Sequence, residues 1–353
     1  MKALLYYGNK DIRLEEIEKP TPKSNEALVK VTYTSLCATD IEEWQYGPLW
    51  IQTTTPNPLS GKKVPLVMGH EISGVVDSVG DINHKNLIGT RVVINNVLTC
   101  GNCYWCQSGH HAVCPSMAVA GLSADGGLQE YMVWPIKNII PVPDSISDEE
   151  ISLLEPATIA VHAVRKSGIK PGDIAVVVGC GTVGLLTLQT LLAAGAIVIA
   201  VDIKENKLNL AKKFGATNFF KVEKNVSYLY KQILSNTNNI GPDYVFETAG
   251  AKESPEISVN IARRGGTIIL VGIYSQKPVF DFNQIVSLEK KVIGSVAAEN
   301  NDMQHAVNLV SKGTIKLKPL ITETIKLSNV IEDGFKKMLD SDKEIFRIIV
   351  KPD

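Results

Sequence analysis

The stretch from Ile174 to Asp202 constrains the fold of this chain more than any other. It opens with a short apolar, β-branched run and continues through a turn that contains Gly179, Gly181 and Gly184. An apolar helical segment follows, and a second apolar run then ends on Asp202. This order of strand, glycine turn, helix, parallel strand and acid is typical of a dinucleotide-binding unit.

A physical requirement explains each glycine of the turn. Gly179 allows a sharp turn out of the strand, Gly181 has no Cβ to obstruct a pyrophosphate, and Gly184 allows close packing of helix and strand. Thr182 and Val183 lie at the start of the helix, where backbone N–H groups and a partial positive charge suit phosphate. The turn is therefore predicted to bind a dinucleotide, although a glycine turn can also serve only to reverse the chain.

Asp202 completes this unit about 20 residues beyond the turn, the distance expected for a ribose-binding acid. Its carboxylate can accept hydrogen bonds from the adenosine ribose, and it repels a 2′-phosphate. The sequence therefore predicts NAD rather than NADP as the cofactor.

The chain length and composition allow two domains with separate cores. The chain has 353 residues, of which 44% are hydrophobic and 21% charged. A net charge of −1 provides no basic field for nucleic acid or a membrane surface, which favours a small-molecule substrate. Met1 leads directly into the strand-like run KALLYY, and no apolar run approaches the length of a membrane span, so a cytoplasmic protein is expected.

The first part of the chain is predicted to be an all-β body. Short stretches of alternating polarity, such as ALVKVTYTSL, ISGVVDSVG and GTRVVI, indicate strands, and the proline-bearing insertion from Gly47 to Lys63 indicates a loop. Helical periodicity is expected only after Asp148.

Beyond Asp202, helical and strand patterns alternate, which predicts a parallel sheet with right-handed crossovers. The last buried run, 291–296, closes that sheet. A helix near 303–311 and the terminal strand FRIIVKP follow; this strand has no evident partner nearby and is expected to return to the β body. The intervening elements are helices over 205–214, 226–234 and 254–262 and strands over 218–222, 243–247 and 266–271.

Four cysteines, Cys100, Cys103, Cys106 and Cys114, form the pattern C-x-x-C-x-x-C with a fourth cysteine shortly after. Four thiolates in one loop can surround zinc as a tetrahedron with no open position, which is a structural site. Scattered buried cysteines or disulfides are the alternative, but the regular spacing and the expected reducing compartment favour metal.

A second candidate set of metal ligands combines different residue types. Cys37, His70 and Glu71, with Glu155 as a third carboxylate candidate, leave a coordination position for water or substrate, as a catalytic zinc requires. Asp40 can bind the far nitrogen of His70 and fix its tautomer, or it can simply cap a turn. Ligands so far apart in sequence can also be a coincidence.

The motifs CATD, GHE, the four-cysteine lobe, LLEPATIAVHAV and VVGCGTVG occur in an order that resembles the zinc-dependent medium-chain alcohol dehydrogenase superfamily. The resemblance covers essentially the whole chain. The segment GPLWIQTTTPNPLSGKKVPLVMGHEISGVV looks most like that of 2,3-butanediol dehydrogenases, and sorbitol and threonine dehydrogenases are near relatives.

The resemblance implies an α/β protein of two domains with the active site in a cleft between them. A GroES-like β domain would span 1–156, with a structural zinc lobe at 97–116, and a Rossmann NAD-binding domain would span 157–297. Residues 298–353 would return to the first domain. A homo-oligomer, either a tetramer or a dimer, is also expected.

The resemblance also implies roles for single residues. Cys37, His70 and Glu155 match the ligands of a catalytic zinc, with Glu71 as an alternate ligand, so that each chain would hold one catalytic and one structural zinc. Which carboxylate binds at rest stays open. Thr39 matches the hydroxyl that takes the substrate proton.

On the cofactor side, Lys207 matches a ribose-contacting lysine. The loop of Val271, Gly272 and Ile273 matches the residues beside the nicotinamide, and Arg347 matches an arginine near the pyrophosphate. All of these can equally be ordinary strand and surface residues.

Two positions depart from the pattern. Many relatives have a histidine at the outer end of the proton relay, where this chain has Glu42, so the proton would leave through that carboxylate or through water. Sorbitol dehydrogenases tend to have an Arg-Tyr pair where this chain has Ala297 and Ala298, which argues against sorbitol.

The expected reaction is reversible NAD-linked oxidation of a vicinal diol or small secondary alcohol. A sorbitol, polyol, sugar or L-threonine dehydrogenase of the same fold is the alternative, with Tyr46, Trp50 and the loop to Lys63 as candidate pocket residues. A non-catalytic NAD-binding sensor would be expected to lack a catalytic ligand. A zinc-ribbon nucleic-acid module would need a basic surface around the cysteines, but the lobe contains no Lys or Arg from Thr99 to Ser116.

Overall fold

A computed structural model of the chain describes residues 1–223, 225–299, 301–340 and 344–353. Within these residues the backbone divides into two compact units. In the described ranges, no helix is both long and apolar enough to cross a membrane. The first unit comprises Met1–Glu155, Glu299–Ser311 and Leu317–Asp353, and the second comprises Pro156–Ala298 and Lys312–Lys316.

The short segment Lys312–Lys316 departs from the expectation that everything after residue 298 returns to the first domain. Two hydrogen bonds explain its place in the second unit. The Lys316 N–H donates to Gln189 Oε1 at 2.8 Å, and Gln189 Nε2 donates to the Lys316 carbonyl at 3.3 Å.

The first unit begins as a β body whose strands form several antiparallel pairs. Its α-helices before residue 152 are α1 (Ala38–Tyr46), α2 (Tyr104–Gln107) and α3 (Asp148–Ile151). Its strands over the same part of the chain are β1 (Lys2–Gly8), β2 (Asp11–Glu16), β3 (Glu26–Ser35), β4 (Leu66–Val67), β5 (Glu71–Val79), β6 (Arg91–Ile94), β7 (Val97–Leu98), β8 (Ala118–Val119), β9 (Tyr131–Pro135) and β10 (Ile139–Pro141).

Strand β3 is the centre of this body because it pairs with both β5 and β9. Its alternating side chains Val29 and Val31 are buried with Ile72 of β5 in one apolar cluster. The insertion 47–63 forms neither helix nor strand, which confirms the prediction of a loop.

Helix α1 contradicts the expectation that helices begin only after Asp148. Cys37 is its N-cap residue, and Asp40 at the third helical position accepts a hydrogen bond from the Cys37 N–H at 2.9 Å. This is a capping box, which satisfies backbone donors at the start of a helix. The expectation was wrong because cysteine is not among the residue types preferred at an N-cap.

The second unit is a layer of parallel strands with helices in the crossovers, which confirms the predicted α/β class. Helix α4 (Leu154–Ser167) leads into it. The further elements are strands β11 (Ile174–Val178), β12 (Ile197–Asp202), β13 (Asn218–Lys221), β14 (Tyr244–Glu247), β15 (Thr267–Leu270) and β16 (Lys291–Gly294), and helices α5 (Thr182–Ala193), α6 (Glu205–Phe214), α7 (Val226–Ser235), α8 (Ser254–Ile261) and α9 (Asn283–Val286).

The strand order in this sheet is β13-β12-β11-β14-β15-β16, with every pair parallel. The order reverses between β11 and β14. In doubly wound sheets, dinucleotides bind in the crevice outside the carboxyl ends of the strands at such a reversal. The loops that follow β11 and β14 therefore border the predicted cofactor site.

The glycine turn after β11 has the geometry that its sequence predicts. Gly179 has a φ of +96°, a conformation that favours glycine. A Cβ added to Gly184 would lie 1.8 Å from the Gly179 carbonyl oxygen, so helix and strand pack too closely for a side chain. A Cβ on Gly181 would meet no described atom within 4 Å, and this open space suits an approaching ligand.

The end of the chain builds onto the first unit. The last strand, β18 (Arg347–Lys351), pairs antiparallel with β3, which confirms that the tail returns to the β body. It also pairs in parallel with β17 (Ile321–Lys326), so the expectation that it has no nearby partner is wrong. Strand β17 reads ITETIK and buries only Ile325. The elements are α10 (Asp302–Ser311), β17 (Ile321–Lys326), a π-helix (Val330–Lys336), α11 (Lys337–Leu339) and β18 (Arg347–Lys351).

Candidate active site

Three predicted metal ligands meet in the first unit. One ligand atom each from Cys37, His70 and Glu71 lies within 4.8 Å of the others. Cys37 lies at the start of α1, and Glu71 is the first residue of β5 and pairs with Ser35 at the end of β3. Strand pairing thus brings together residues that are 34 positions apart in sequence, from Cys37 to Glu71.

Asp40 orients two of these ligands at once. Its Oδ2 accepts from the Cys37 N–H, and its Oδ1 lies 3.3 Å from His70 Nδ1. The Asp40 side chain is completely buried. Because Nδ1 faces Asp40, Nε2 of His70 is left to bind a metal.

The charge of Asp40 also acts on the imidazole. Burial alone lowers the pKa of His70, but the neighbouring Asp40 and Cys37 outweigh burial and raise the pKa well above its ordinary value. The surroundings of His70 are therefore strongly negative, and a cation fits such a site.

Arg347 lies beside the same cluster. Its Nη2 is 2.9 Å from Glu71 Oε1, and its Nη1 donates to the Leu36 carbonyl at 2.7 Å. The pairing of β18 with β3 carries Arg347 to this place, where it is only 4% exposed. Its predicted contact with a pyrophosphate stays a prediction.

Glu155 lies near the cluster but is not in the group whose ligand atoms meet within 4.8 Å among the described residues. Asn96 connects it to His70, because Asn96 Nδ2 donates to both Glu155 Oε1 (3.1 Å) and the His70 carbonyl (2.9 Å). Burial and the charge of Glu71 raise the pKa of Glu155 to about 7. Two carboxylates thus share one buried region.

These residues fit a divalent metal. Glu71 Oε2 is buried and has no hydrogen-bond partner in the part of the chain that the structure describes. A thiol, an imidazole and two carboxylates are ligands that zinc accepts, and a dication would offset the mutual repulsion of Glu71 and Glu155.

The predicted proton-relay residues lie on α1. Thr39 Oγ1 is 3.7 Å from Cys37 Sγ. Glu42 follows three residues later on the same helix, where residues at this spacing share a face. Burial raises the pKa of Glu42.

The four cysteines of the lobe also meet within 4.8 Å. The sulfurs of Cys100 and Cys106 are 3.9 Å apart, those of Cys103 and Cys114 are 4.0 Å apart, and those of Cys114 and Cys100 are 3.6 Å apart. Four sulfurs at about 2.3 Å from one zinc ion would be separated by about 3.8 Å. The lobe therefore has the dimensions of a tetrahedral zinc site, and its sulfurs are much too far apart for disulfides.

In the second unit, Asp202 lies at the carboxyl end of β12 beside the glycine turn. Its Oδ2 accepts from the Cys180 N–H at 2.6 Å, and its Oδ1 accepts from the Lys204 N–H at 2.8 Å. These bonds fix the carboxylate next to the turn. Each oxygen keeps a further lone pair for a ribose hydroxyl.

Two other predicted cofactor contacts lie around this sheet end. Lys207 is on the first turn of α6, near enough to Cys180 for its charge to act on that thiol. Val271, Gly272 and Ile273 directly follow β15, and Ile273 is 57% exposed. Their contacts with a cofactor stay predictions.

Sequence reasoning missed Asn96 and Glu247. Asn96 follows β6 and has no motif around it, so no signal pointed to it. Glu247 ends β14 as Asp202 ends β12, and that position at the carboxyl end of a parallel strand could have identified it.

Family models match both units. The model of the alcohol dehydrogenase GroES-like domain matches residues 23–144, and that of the zinc-binding dehydrogenases matches residues 182–312.

Similar proteins agree with these matches. The chain is 31% identical to the (R,R)-butanediol dehydrogenase of Bacillus subtilis over the full length of both chains. It is 33% identical to D-xylulose reductase A of Aspergillus niger, over 92% of this chain and 90% of that protein. The crystal structure of 2R,3R-butanediol dehydrogenase from Bacillus subtilis superimposes with a TM-score of 0.90 at 30% identity, covering 100% of this chain and 99% of that one.

The cysteine lobe yields a direct prediction. Replacing Cys103 with serine (Cys103→Ser) leaves three thiolates and a weak hydroxyl ligand, so the purified variant should lose one zinc ion per chain. Elemental mass spectrometry after dialysis measures the zinc content. Cys180→Ala is the matched control, because Cys180 is buried outside both ligand groups, and it should retain the zinc of the unmodified protein. Unchanged zinc in Cys103→Ser would contradict a four-cysteine site.

Proposed function

We propose that this chain, which belongs to the zinc-dependent medium-chain alcohol dehydrogenase superfamily, is an NAD-linked dehydrogenase whose substrate is a small vicinal diol of the 2,3-butanediol type. The observation that supports a catalytic metal is the buried group of Cys37, His70 and Glu71, oriented by Asp40. The four-cysteine lobe is a separate, closed site with no position for substrate.

When bound, zinc lowers the pKa of an alcohol oxygen and NAD accepts a hydride. The chain itself contributes the ligands and their orientation. Cys37, His70 and Glu155 would hold the metal. Glu71, whose Oε1 is paired with Arg347, would be the alternate carboxylate ligand.

The hydroxyl of Thr39 takes the substrate proton. From there the proton passes to the Glu42 carboxylate or to water. The position of Glu42, three residues after Thr39 on the same helix, supports this path. Burial raises the pKa of Glu42 toward neutral pH, and a proton acceptor works best when its pKa lies near the working pH.

Asp202 selects NAD over NADP. Its buried carboxylate is already fixed by two backbone N–H groups, so it cannot easily turn away from a 2′-phosphate. The repulsion between carboxylate and phosphate would disfavour NADP binding. Lys207, the loop Val271–Ile273 and Arg347 are proposed to contact the ribose, the nicotinamide and the pyrophosphate.

The similarity to butanediol dehydrogenases extends over the whole chain, which supports a diol of this type. Ala297 and Ala298 stand where sorbitol dehydrogenases tend to have Arg and Tyr. Leu49 and Trp50 are exposed near the start of the loop 47–63. If this loop forms a wall of the substrate pocket, as proposed, their apolar side chains would suit the methyl groups of a small diol better than a chain of hydroxyls. A polyol remains the alternative substrate, because D-xylulose reductase A is a comparable relative.

The proposal is tested by NADH formation with zinc-replete protein. The substrates are the stereoisomers of 2,3-butanediol, sorbitol, xylitol, L-threonine and simple secondary alcohols, each with NAD and with NADP. We expect the highest kcat/KM for one butanediol isomer with NAD. Preference for a polyol or threonine would refute the diol assignment, and preference for NADP would refute the role of Asp202.

Cys37→Ser separates chemistry from cofactor binding in the same assay. This variant should lose turnover because a zinc ligand is gone, whereas NADH should still bind to the second unit, as its fluorescence would report. Retained activity in Cys37→Ser would refute the proposed catalytic site. If neither protein oxidises any of the alcohols, the sensor hypothesis gains support.

We also propose that the enzyme is a cytoplasmic homo-oligomer, a tetramer or a dimer. A reducing compartment suits the lobe, because its four thiols must stay reduced to bind zinc. Strand β16 is the edge strand of the six-stranded sheet that the described residues form. Val292 in this strand and Val296, two residues after it, are exposed. An exposed apolar sheet edge favours pairing with a second copy.

The sheet edge can be tested by light scattering of the purified protein. Val292→Lys places a charge on the edge and should shift the molar mass toward that of the monomer. Ile240→Lys is the matched control, since Ile240 is exposed in the same unit but outside the strands, and it should leave the mass unchanged. A Val292→Lys variant with the unmodified mass would exclude this edge as the interface.

A further inference from the structure

Glu247 carries a fully buried carboxylate at the carboxyl end of β14. Its Oε1 accepts from three donors that follow the strand: the N–H groups of Ala249 (2.8 Å) and Gly250 (2.9 Å) in the loop, and the hydroxyl of Ser254 (2.7 Å) at the start of helix α8. A buried charge is tolerated only when it is well hydrogen-bonded. The carboxylate therefore fixes this loop.

The other oxygen of Glu247 binds a second loop. The phenol of Tyr274 donates to Oε2 at 2.5 Å, just beyond Ile273 in the segment that follows β15. The backbone of Glu247 contributes as well, since its carbonyl accepts from the N–H groups of Val271 (2.9 Å) and Gly272 (3.1 Å). One residue thus holds two loops from neighbouring strands.

The two loops also interlock. A Cβ on Gly272 would lie 2.4 Å from the Gly250 nitrogen and 2.7 Å from Glu247 Oε2. A Cβ on Gly250 would lie 2.4 Å from the Ile273 carbonyl oxygen. Neither loop can move far without displacing the other, so the position of the segment 271–273 depends on the Glu247 carboxylate.

These loops lie where the strand order reverses. In the sheet register, Glu247 is level with Val178, which immediately precedes the glycine turn, and with Leu270. The carboxyl ends of strands at a reversal border the dinucleotide crevice. The two loops therefore belong to the cofactor side of the sheet.

We propose that the Glu247–Tyr274 pair is a positioning device that holds the Val271–Ile273 loop in place for the nicotinamide half of the cofactor. The proposal rests on the proposed function, since it takes this loop as the wall beside the nicotinamide. Tyr274 and Glu247 act through the loop and are positioning residues. Order in the free protein lowers the entropy cost of binding the ring.

A purely structural role makes a different prediction from a positioning role. A general weakening of the second unit would reduce binding of any ligand of the crevice. Loss of order in the loop alone would weaken the binding of NADH, which has the nicotinamide ring. It would not weaken the binding of ADP-ribose, which has the same adenosine and pyrophosphate but lacks the ring.

Tyr274→Phe tests this difference because it removes only the phenolic hydroxyl. We expect the Kd of NADH to rise about tenfold, the scale of losing one hydrogen bond to a charged group, while the Kd of ADP-ribose changes by less than about twofold. Titration calorimetry measures both ligands. The fluorescence of bound NADH should also move toward that of free NADH, since the ring would be held less firmly.

Tyr230→Phe is the matched control. Tyr230 is a partly buried tyrosine of the same unit whose hydroxyl accepts from Asn260 Nδ2 at 3.3 Å, outside the two loops. This variant should bind both ligands as the unmodified protein does.

The outcomes separate the two proposals. If the unmodified protein fails to bind NADH, the proposed function fails. If it binds NADH and Tyr274→Phe binds NADH equally well, the positioning role is refuted while the proposed function stands. An equal loss of NADH and ADP-ribose binding in Tyr274→Phe would also overturn the positioning role, because it would indicate general weakening of the unit.

Discussion

The buried carboxylate of Asp40 is the contact on which the candidate active site depends. One oxygen caps helix α1 through the Cys37 N–H, and the other lies against His70 Nδ1. Two ligands that are distant in sequence thus take their orientation from one side chain. A carboxylate this deeply buried is stable only with such partners, so the structural requirement of the helix and the chemical requirement of the metal are met together.

The pairing of the last strand with β3 adds the second constraint. It brings Arg347 to within 2.9 Å of Glu71, so one buried cation opposes the negative groups of the site. A single guanidinium pairs with only one of the two carboxyl groups, Glu71 and Glu155, and a divalent metal would supply further positive charge. In the second unit, Asp202 and Glu247 have similar structural roles. Each is the last residue of a parallel strand, and the carboxylate of each accepts hydrogen bonds from backbone N–H groups of the adjacent loops.

The elements with strong local signals could be predicted from sequence. Residue spacing or hydrophobic periodicity within a short stretch of sequence identifies these elements. They are the glycine turn, Asp202, the four cysteines and the alternating strands and helices of the second unit. Helix α1 and strand β17 were missed because a cysteine N-cap and a mostly exposed strand give weak signals. Asn96, Arg347 and Tyr274 acquire their partners only through long-range pairing, and no local pattern predicts such contacts.

One chain should hold two zinc ions in different ligand sets. X-ray absorption at the zinc edge of the purified protein measures the average number of sulfur ligands directly. One site with four sulfurs and one with a single sulfur, from Cys37, would average about 2.5 sulfurs per zinc, with nitrogen and oxygen making up the rest. About four sulfurs per zinc, together with one zinc per chain, would contradict a metal at Cys37 and His70 and with it the catalytic role assigned to that site.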